Sequence, residues 1–564
     1  MDIILERQWL CLYPKEIPHH LNYEEKPLFA FLEEAAYVSP EKNAIHFLGK
    51  ELTYKELYDA SLKVANYLRS LGVEKGERVA IMLPNCPQAV ISYYAILFAG
   101  GIVVQTNPLY TERELQFQLE DAGAKWIVCL DLLYPKVVKV KSSTKIEQII
   151  VTSIGDYLPF PKNIIYPFIQ KKQHGIKVQI ADNGETTHQF KKALKSSKAE
   201  KIPLIINPKE DIALIQYTGG TTGQAKGVML THYNLVANTT MCIHWMYKMK
   251  KGEERILGIL PFFHVFGMTV VMNLAIMFAS KMILLPKFDT VETLKVIEKQ
   301  KPTIFPGAPT IFIALLNHPH IADYDLSSLD SCISGAAPLP IEVQEKFEEI
   351  TGGKLVEGYG LTEASPVTHA NFLWDIPRVK GSIGVPWPDT DAFIFSSEKN
   401  GPANPYEIGE IAIKGPQVMK GYWQRTNETA ASFYKNEWLL TGDLGYMDEY
   451  GYFYIVDRKK DLIIAGGFNI YPREIEEVLY EHEAVIEAVV IGISDEYRGE
   501  TVKAYVVLKD DESTTAEQLE KHCRQYLAAY KVPHLFEFRK ELPKTVVGKI
   551  IKRKLQEEEN KKTK

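Results

Sequence analysis

Through roughly its first 400 residues the chain alternates short apolar runs with amphipathic segments, and this alternation restricts its fold more than any other feature. "ERVAIMLP" (77–84) reads as a buried strand, "PQAVISYYAILFAGG" (87–101) as a helix stopped by glycines, and "IVVQTNP" (102–108) as a second strand. Helix followed by strand recurs over 114–130, 290–307 and 340–360. A strand that reaches the next one through a helix usually pairs with it in parallel, so layered α/β architecture is expected. Near residue 390 the pattern changes to short strands and turns, "DAFIFSS", "GEIAIKGP" and "GYFYIVD", which predicts a β-rich subdomain. The charged stretch "RKKDLI" (458–463) then separates two apolar strands, as a hinge would. Beyond it Pro472 opens a helix carrying Ile475, Val478 and Leu479, followed by two strands, a helix over about 516–529 and a last strand "LFEFRKEL". At 564 residues the chain exceeds the ~250–300 at which one core stops growing. The expected organisation is a large domain over 1–457, a hinge over 458–463 and a small, mobile α+β domain over 464–564.

Composition narrows the function classes. A net charge of -6 offers no general basis for binding nucleic acid or an anionic membrane. Six scattered cysteines without a CxxC pair argue against a disulfide framework or a zinc site and fit a reducing cytoplasm. The N-terminus "MDIILERQWLCLYPKEIPHH" lacks the apolar core of a signal peptide. From Ile256 to Ser280 no Asp, Glu, Lys or Arg occurs, long enough for a membrane span, but Pro261, His264, Gly267 and Asn273 interrupt it. A buried strand, a turn and a buried helix fit that segment better. The tail "QEEENKKTK" reads as a charged, low-complexity end.

One loop suggests chemistry. "IQYTGGTTGQAKGVMLTH" (215–232) joins an apolar run to glycines, threonines and Lys226. Glycine lets backbone N–H groups approach an anion, while threonine and lysine add donors and charge, so phosphate is the expected ligand. A flexible surface turn is the other reading of such a loop. It is not a Walker A motif, because Lys226 precedes Gly227 and an apolar run separates it from any helix.

Four further stretches resemble the adenylate-forming superfamily of acyl-CoA synthetases, luciferases and peptide-synthetase adenylation domains: "SGAAPLP" (334–340), "EGYGLTEASP" (357–366), the run from "WLLTGDLGY" to "NIYPREIEEVL" (438–479), and "LPKTVVGKIIKRKL" (542–555). With the loop they stand in the family's order and cover almost the whole chain. The closest likeness is to bacterial long-chain fatty-acid–CoA ligases. Two departures stand in the loop, Gly219 for the family's serine and Ala225 for its proline, removing a hydroxyl and some rigidity.

The resemblance implies ATP, Mg²⁺ and CoA, with a fatty acid as the other substrate. It implies that Thr218, Gly219, Gly220, Thr221, Thr222, Gly223 and Lys226 hold the β- and γ-phosphates, that Thr362 touches the α-phosphate, and that Glu363 is the metal ligand. Adenosine would lie on Tyr359 and Gly360 and on the backbone of Gly335 and Ala336; Asp443 would take the ribose hydroxyls, with Arg458 nearby. Lys549 would enter the site on the small domain for adenylation, and rotation about Lys460 would then withdraw it and bring Gly466 and Gly467 to the pantetheine arm. That glycine pair is also compatible with a tight turn. His264 would stand beside the acyl carboxylate, or be a core histidine, and Trp245 would be a gate to the acyl tunnel. No aspartate near "PFFHVFG" meets an amino group, and the apolar "MTVVMNLAIMF" follows, which favours a fatty acid over an amino acid. An aryl or medium-chain acid ligase, an acyl-AMP ligase loading a free carrier protein, and a non-catalytic nucleotide- or lipid-binding protein are the alternatives. The absence of a carrier domain after residue 564 disfavours a multidomain synthetase. A peripheral membrane contact and a homodimer are both compatible with the sequence.

Overall fold

Strands that are apolar on both faces need cover on both faces, and two mixed sheets supply it. The computed structural model describes residues 6–174, 180, 184–218, 225–465, 468–495, 498–509, 512–545 and 549–562. Gly219, Gly220, Thr221, Thr222, Gly223, Gly466 and Gly467 lie outside the described residues.

In the first sheet, Asn43–Phe47, Lys281–Leu284, Arg255–Gly258, Ile304–Gly307, Ser331–Ser334 and Lys354–Gly360 run parallel, side by side in that order. Lys50–Thr53 closes one edge antiparallel, and Val367–Ala370 with Val385–Pro386 close the other. In the second, Thr187–Gln189, Gln148–Thr152, Trp126–Leu130, Arg78–Met82, Ile102–Gln105 and Ile212–Thr218 are parallel. Lys226–Thr231 and Gly421–Tyr422 extend it antiparallel. The helix Pro87–Phe98 is buried on every side, as expected of a helix apolar all round. Just before it, the Asn85 amide donates to the carbonyls of Gly258 (3.1 Å) and Leu260 (2.8 Å) and so ties the two sheets together.

The segment free of charges forms the strand Arg255–Gly258 and then one buried helical run from Val265 to Met277, with a π-helical stretch over Met268–Asn273. Among the described residues no helix is long and apolar enough to cross a membrane. The β-rich subdomain is also present: Asp391–Ser396, Gly409–Lys414, Trp438–Met447 and Phe453–Arg458 pair antiparallel.

Beyond the turn at 459–462, the strands Ile463–Ala465, Val485–Asp495 and Gly499–Leu508 pack with the helices Pro472–Tyr480 and Ala516–Tyr526 around Ile475, Leu479, Leu519 and Cys523. The last strand, Leu535–Phe538, pairs in parallel with Gly499–Leu508. The charged tail departs from the low-complexity expectation. Lys552–Lys562 is a helix that buries Leu555 against Val489, Ile491 and Tyr505, and Lys552 pairs with Glu476 at 2.9 Å. One apolar anchor and interspersed charges of both signs suffice to dock it.

Candidate active site

Three of the sequence's site residues come together at the C-terminal end of Lys354–Gly360. The Tyr359 hydroxyl donates to Asp443 Oδ2 at 2.7 Å, and the Arg458 guanidinium lies 2.9 Å from Asp443 Oδ1. Asp443 and Arg458 face each other because their strands pair in that register. Asp443 is buried, and its charge holds Arg458 protonated more firmly than usual. Just before it Gly442, with φ +75°, turns the chain so that the Asp443 N–H meets Thr441 Oγ1 at 3.2 Å.

The same strand end turns sharply. Leu361 N donates to Pro366 O at 3.0 Å, and a Cβ on Gly360 would stand 2.1 Å from that carbonyl, so only glycine fits. Inside this turn sit Thr362 and Glu363, both partly buried. Burial raises the Glu363 carboxyl above its usual range, and Tyr422 donates to its Oε1 at 3.0 Å. Tyr422 also faces Lys226, whose ammonium lies 5.1 Å from the ring centre and pairs with Glu428. Thr218 and Lys226 are register partners at the mouth of the phosphate-type loop. Lys226, Tyr422 and Glu363 therefore form one continuous chain of contacts.

Lys549 reaches this cluster from the small domain. It keeps solvent-accessible surface, yet crowding by surrounding protein and the nearby Arg458 lower its ammonium pKa to about 8, with Asp443 opposing the shift. Its own loop is closed by Thr545, whose N–H donates to the Lys549 carbonyl at 2.7 Å and whose hydroxyl accepts from Lys549 N at 3.1 Å. The small domain also rests on Asp457, which accepts from Arg473 N at 2.9 Å. Lys460 is exposed in the turn that follows, closed by Asp461 N to Arg458 O at 2.9 Å.

Gly335 ends its strand against the Phe266 ring, where a Cβ would approach to 2.8 Å, and Ala336 takes a left-handed φ of +71°. The loop of His264 thus lies beside that strand end. His264 Nε2 is buried and finds no hydrogen-bond partner among the described residues; burial lowers its pKa to about 4, so the ring is neutral. Trp245 stacks between Phe372 (4.9 Å) and Trp387 (5.4 Å), and its indole N–H donates to the Asn371 carbonyl at 3.2 Å.

Sequence reasoning missed Tyr422 and Glu428. Neither lies in a quoted motif, and only the pairing of Gly421–Tyr422 with the Lys226 strand reveals them.

An anion with several oxygens fits this arrangement. Lys226, Arg458 and Lys549 supply positive charge, His264 has an unused buried nitrogen, and Glu363 is a partly buried carboxylate that a cation would stabilise. Among the described residues no group of three or more His, Cys, Asp or Glu could hold a metal alone. One carboxylate still suffices for Mg²⁺ when phosphates supply the other ligands.

A family model of AMP-binding enzymes matches residues 32–423, and a model of the AMP-binding enzyme C-terminal domain matches 474–549. The chain is 59% identical over 555 residues to a long-chain-fatty-acid–CoA ligase of Bacillus subtilis (strain 168), covering 98% of each. The ATP-bound crystal structure of MatB from Rhodopseudomonas palustris is 29% identical, with a TM-score of 0.83 over 95% of this chain and 99% of that one. Apo MatB from the same organism is less similar, with a TM-score of 0.73 over 95% of this chain and 99% of that one, at 30% identity.

Proposed function

Because the chain belongs to the AMP-binding enzyme family, we infer that it joins a long-chain fatty acid to CoA in two steps, forming acyl-AMP and pyrophosphate and then acyl-CoA and AMP. The observation that carries this reading is the approach of Lys549, on the small domain, to the buried Asp443–Arg458 pair on the large one. ATP supplies the α-phosphorus that the carboxylate attacks, Mg²⁺ screens the phosphate charge, and CoA supplies the thiol.

Carboxylate and phosphate repel each other, so positive charge has to stand between them. Lys549 would bridge their oxygens, Thr362 would donate to the α-phosphate, and Lys226 would leave Glu428 for the departing phosphates. Glu363 would hold the metal ion, steadied by Tyr422. Tyr359 offers a ring face to adenine, with Gly335, Ala336 and Gly360 allowing close backbone approach, while Asp443 accepts from ribose hydroxyls. Neutral His264 can donate to the acyl carboxylate through its unused nitrogen. The loop residues Thr218 to Gly223 would bind the β- and γ-phosphates, and Gly466 and Gly467 would flank the thiol after rotation about Lys460. Trp245 would act as a gate only by leaving its stack with Phe372 and Trp387.

The substrate class is tested by pyrophosphate release with octanoic, dodecanoic, hexadecanoic and benzoic acids, with and without CoA. Each buried methylene contributes about 0.8 kcal/mol, so kcat/KM is expected to rise with chain length and to exceed that for benzoate. A preference for benzoate, or release that never yields acyl-CoA, would overturn the assignment.

Lys549 also sets a pH dependence. Its folded pKa is lowered to about 8, so the ammonium is present at neutral pH and is lost as pH rises through that value. For the free enzyme, kcat/KM for adenylation is expected to fall above about pH 8. In Lys549→Arg, whose guanidinium stays protonated, activity is lower but this falling limb disappears. Identical limbs in both proteins would remove Lys549 from the reaction.

Six free cysteines, five of them buried, support a reducing, cytoplasmic setting. Contact with a membrane surface belongs to the same reading, because a long-chain acid partitions into lipid.

A further inference from the structure

The helix Lys162–His174, "KNIIYPFIQKKQH", is exposed at most of its described side chains, and at its start Lys162 Nζ donates to the Leu48 carbonyl at 3.3 Å. Tyr166 and Gln170, one turn apart, hold it down: Tyr166 packs on Gly155, and the Gln170 amide donates to Asp131 Oδ1 at 3.0 Å. On the opposite side Ile164, Ile165, Phe168 and Ile169 stand exposed, Phe168 at 73%, and Phe160 just before the helix is 79% exposed. Spacing of i, i+1, i+4 and i+5 puts the four helical residues on one contiguous strip pointing away from the protein. Contiguous apolar surface of this kind marks an interaction site.

The charge around the strip says what covers it. From 158 to 174 the sequence has Lys162, Lys171 and Lys172 and no acidic residue, although the whole chain carries -6. The carboxylates at the base of the helix are engaged inward: Asp131 by Gln170, and Asp156 by Lys191 at 2.8 Å. An apolar strip with phenylalanines, rimmed by exposed lysines, matches a bilayer interface with anionic headgroups. A second copy of the chain is a poorer match, because a two-fold contact through this strip would bring the same lysines together. We propose that the exposed face of Lys162–His174, with Phe160, is a docking surface for an anionic lipid bilayer. Docking would hold the enzyme where its acyl substrate is concentrated, and only this purpose rests on the fatty-acid reading.

The test is co-sedimentation of the full chain with vesicles of phosphatidylcholine alone or mixed with phosphatidylglycerol, without ATP, CoA or added acid. The unmodified protein is expected to bind the anionic vesicles and to lose binding at high salt. The double variant Ile165→Asp/Phe168→Asp should bind at least tenfold more weakly. Lys171→Glu/Lys172→Glu should lose the preference for anionic vesicles, and Tyr37→Asp, an exposed site on another helix, should change neither. Pyrophosphate release with octanoic acid should be unchanged in all three variants, which reports an intact fold. No vesicle binding by the unmodified protein would overturn the proposal, as would equal binding by the Ile165/Phe168 variant. A change of oligomeric mass in that variant with vesicle binding retained would assign the strip to a second copy instead. Loss of acyl-CoA synthesis would contradict the ligase reading while leaving the vesicle result standing.

Discussion

Replacing Lys549 by alanine is expected to lower acyl-AMP formation by about 10³-fold while largely sparing CoA attack on supplied acyl-AMP. Removing one donor aimed at developing charge typically costs about 10²–10³ in rate, and in the proposed role the side chain also screens two anionic reactants from each other. Lys226 and Arg458 cannot substitute, since in the proposed reaction Lys226 is taken up by the departing phosphates and Arg458 stays paired with Asp443. On the proposed rotation the thiol step is different, because the lysine is withdrawn before the nucleophile enters. Pyrophosphate release and acyl-CoA made from synthetic acyl-adenylate, assayed separately, read the two steps. Equal loss of both with the fold intact would make Lys549 a general binding residue.

Lys460→Pro should do the reverse. The turn is closed by Asp461 N to Arg458 O, a bond that does not use the N–H proline removes, so adenylation is expected to be largely kept. Proline fixes φ near −65°, which blocks a rotation centred on that residue. Misplacing a reacting group costs on the order of 100-fold, and thioester formation is expected to fall by about that factor. Retention of the second step at full rate would move the hinge away from Lys460.

These two residues could be singled out in the sequence because each lies in a local pattern, a glycine-preceded lysine and a charged break between apolar strands. The alternating strands and helices were legible for the same reason, since period and breakers are local. Contacts closed through tertiary pairing were not. Tyr422 meets Lys226 and Glu363 only because a two-residue strand extends the sheet far along the chain from both. The two-sided stack of Trp245 could not be read locally, because it depends on Phe372 and Trp387, more than a hundred residues away. The C-terminal helix was hidden by its charges, as Leu555 is its one buried residue. The strip on Lys162–His174 escaped because an apolar helix face reads as core until the fold leaves it uncovered.

The central claim is that the carboxylate is activated at the α-phosphorus of ATP, and heavy-oxygen transfer tests it most directly. The enzyme is supplied with hexadecanoic acid carrying heavy oxygen in its carboxyl group, together with ATP, Mg²⁺ and CoA, and the products are weighed by mass spectrometry. Attack at the α-phosphorus leaves a carboxyl oxygen bridging acyl group and AMP, and thiol attack on the carbonyl carbon then releases AMP with that oxygen. The account predicts one heavy oxygen in each AMP formed and none in pyrophosphate. Heavy oxygen in inorganic phosphate or pyrophosphate, with unlabelled AMP, would contradict it.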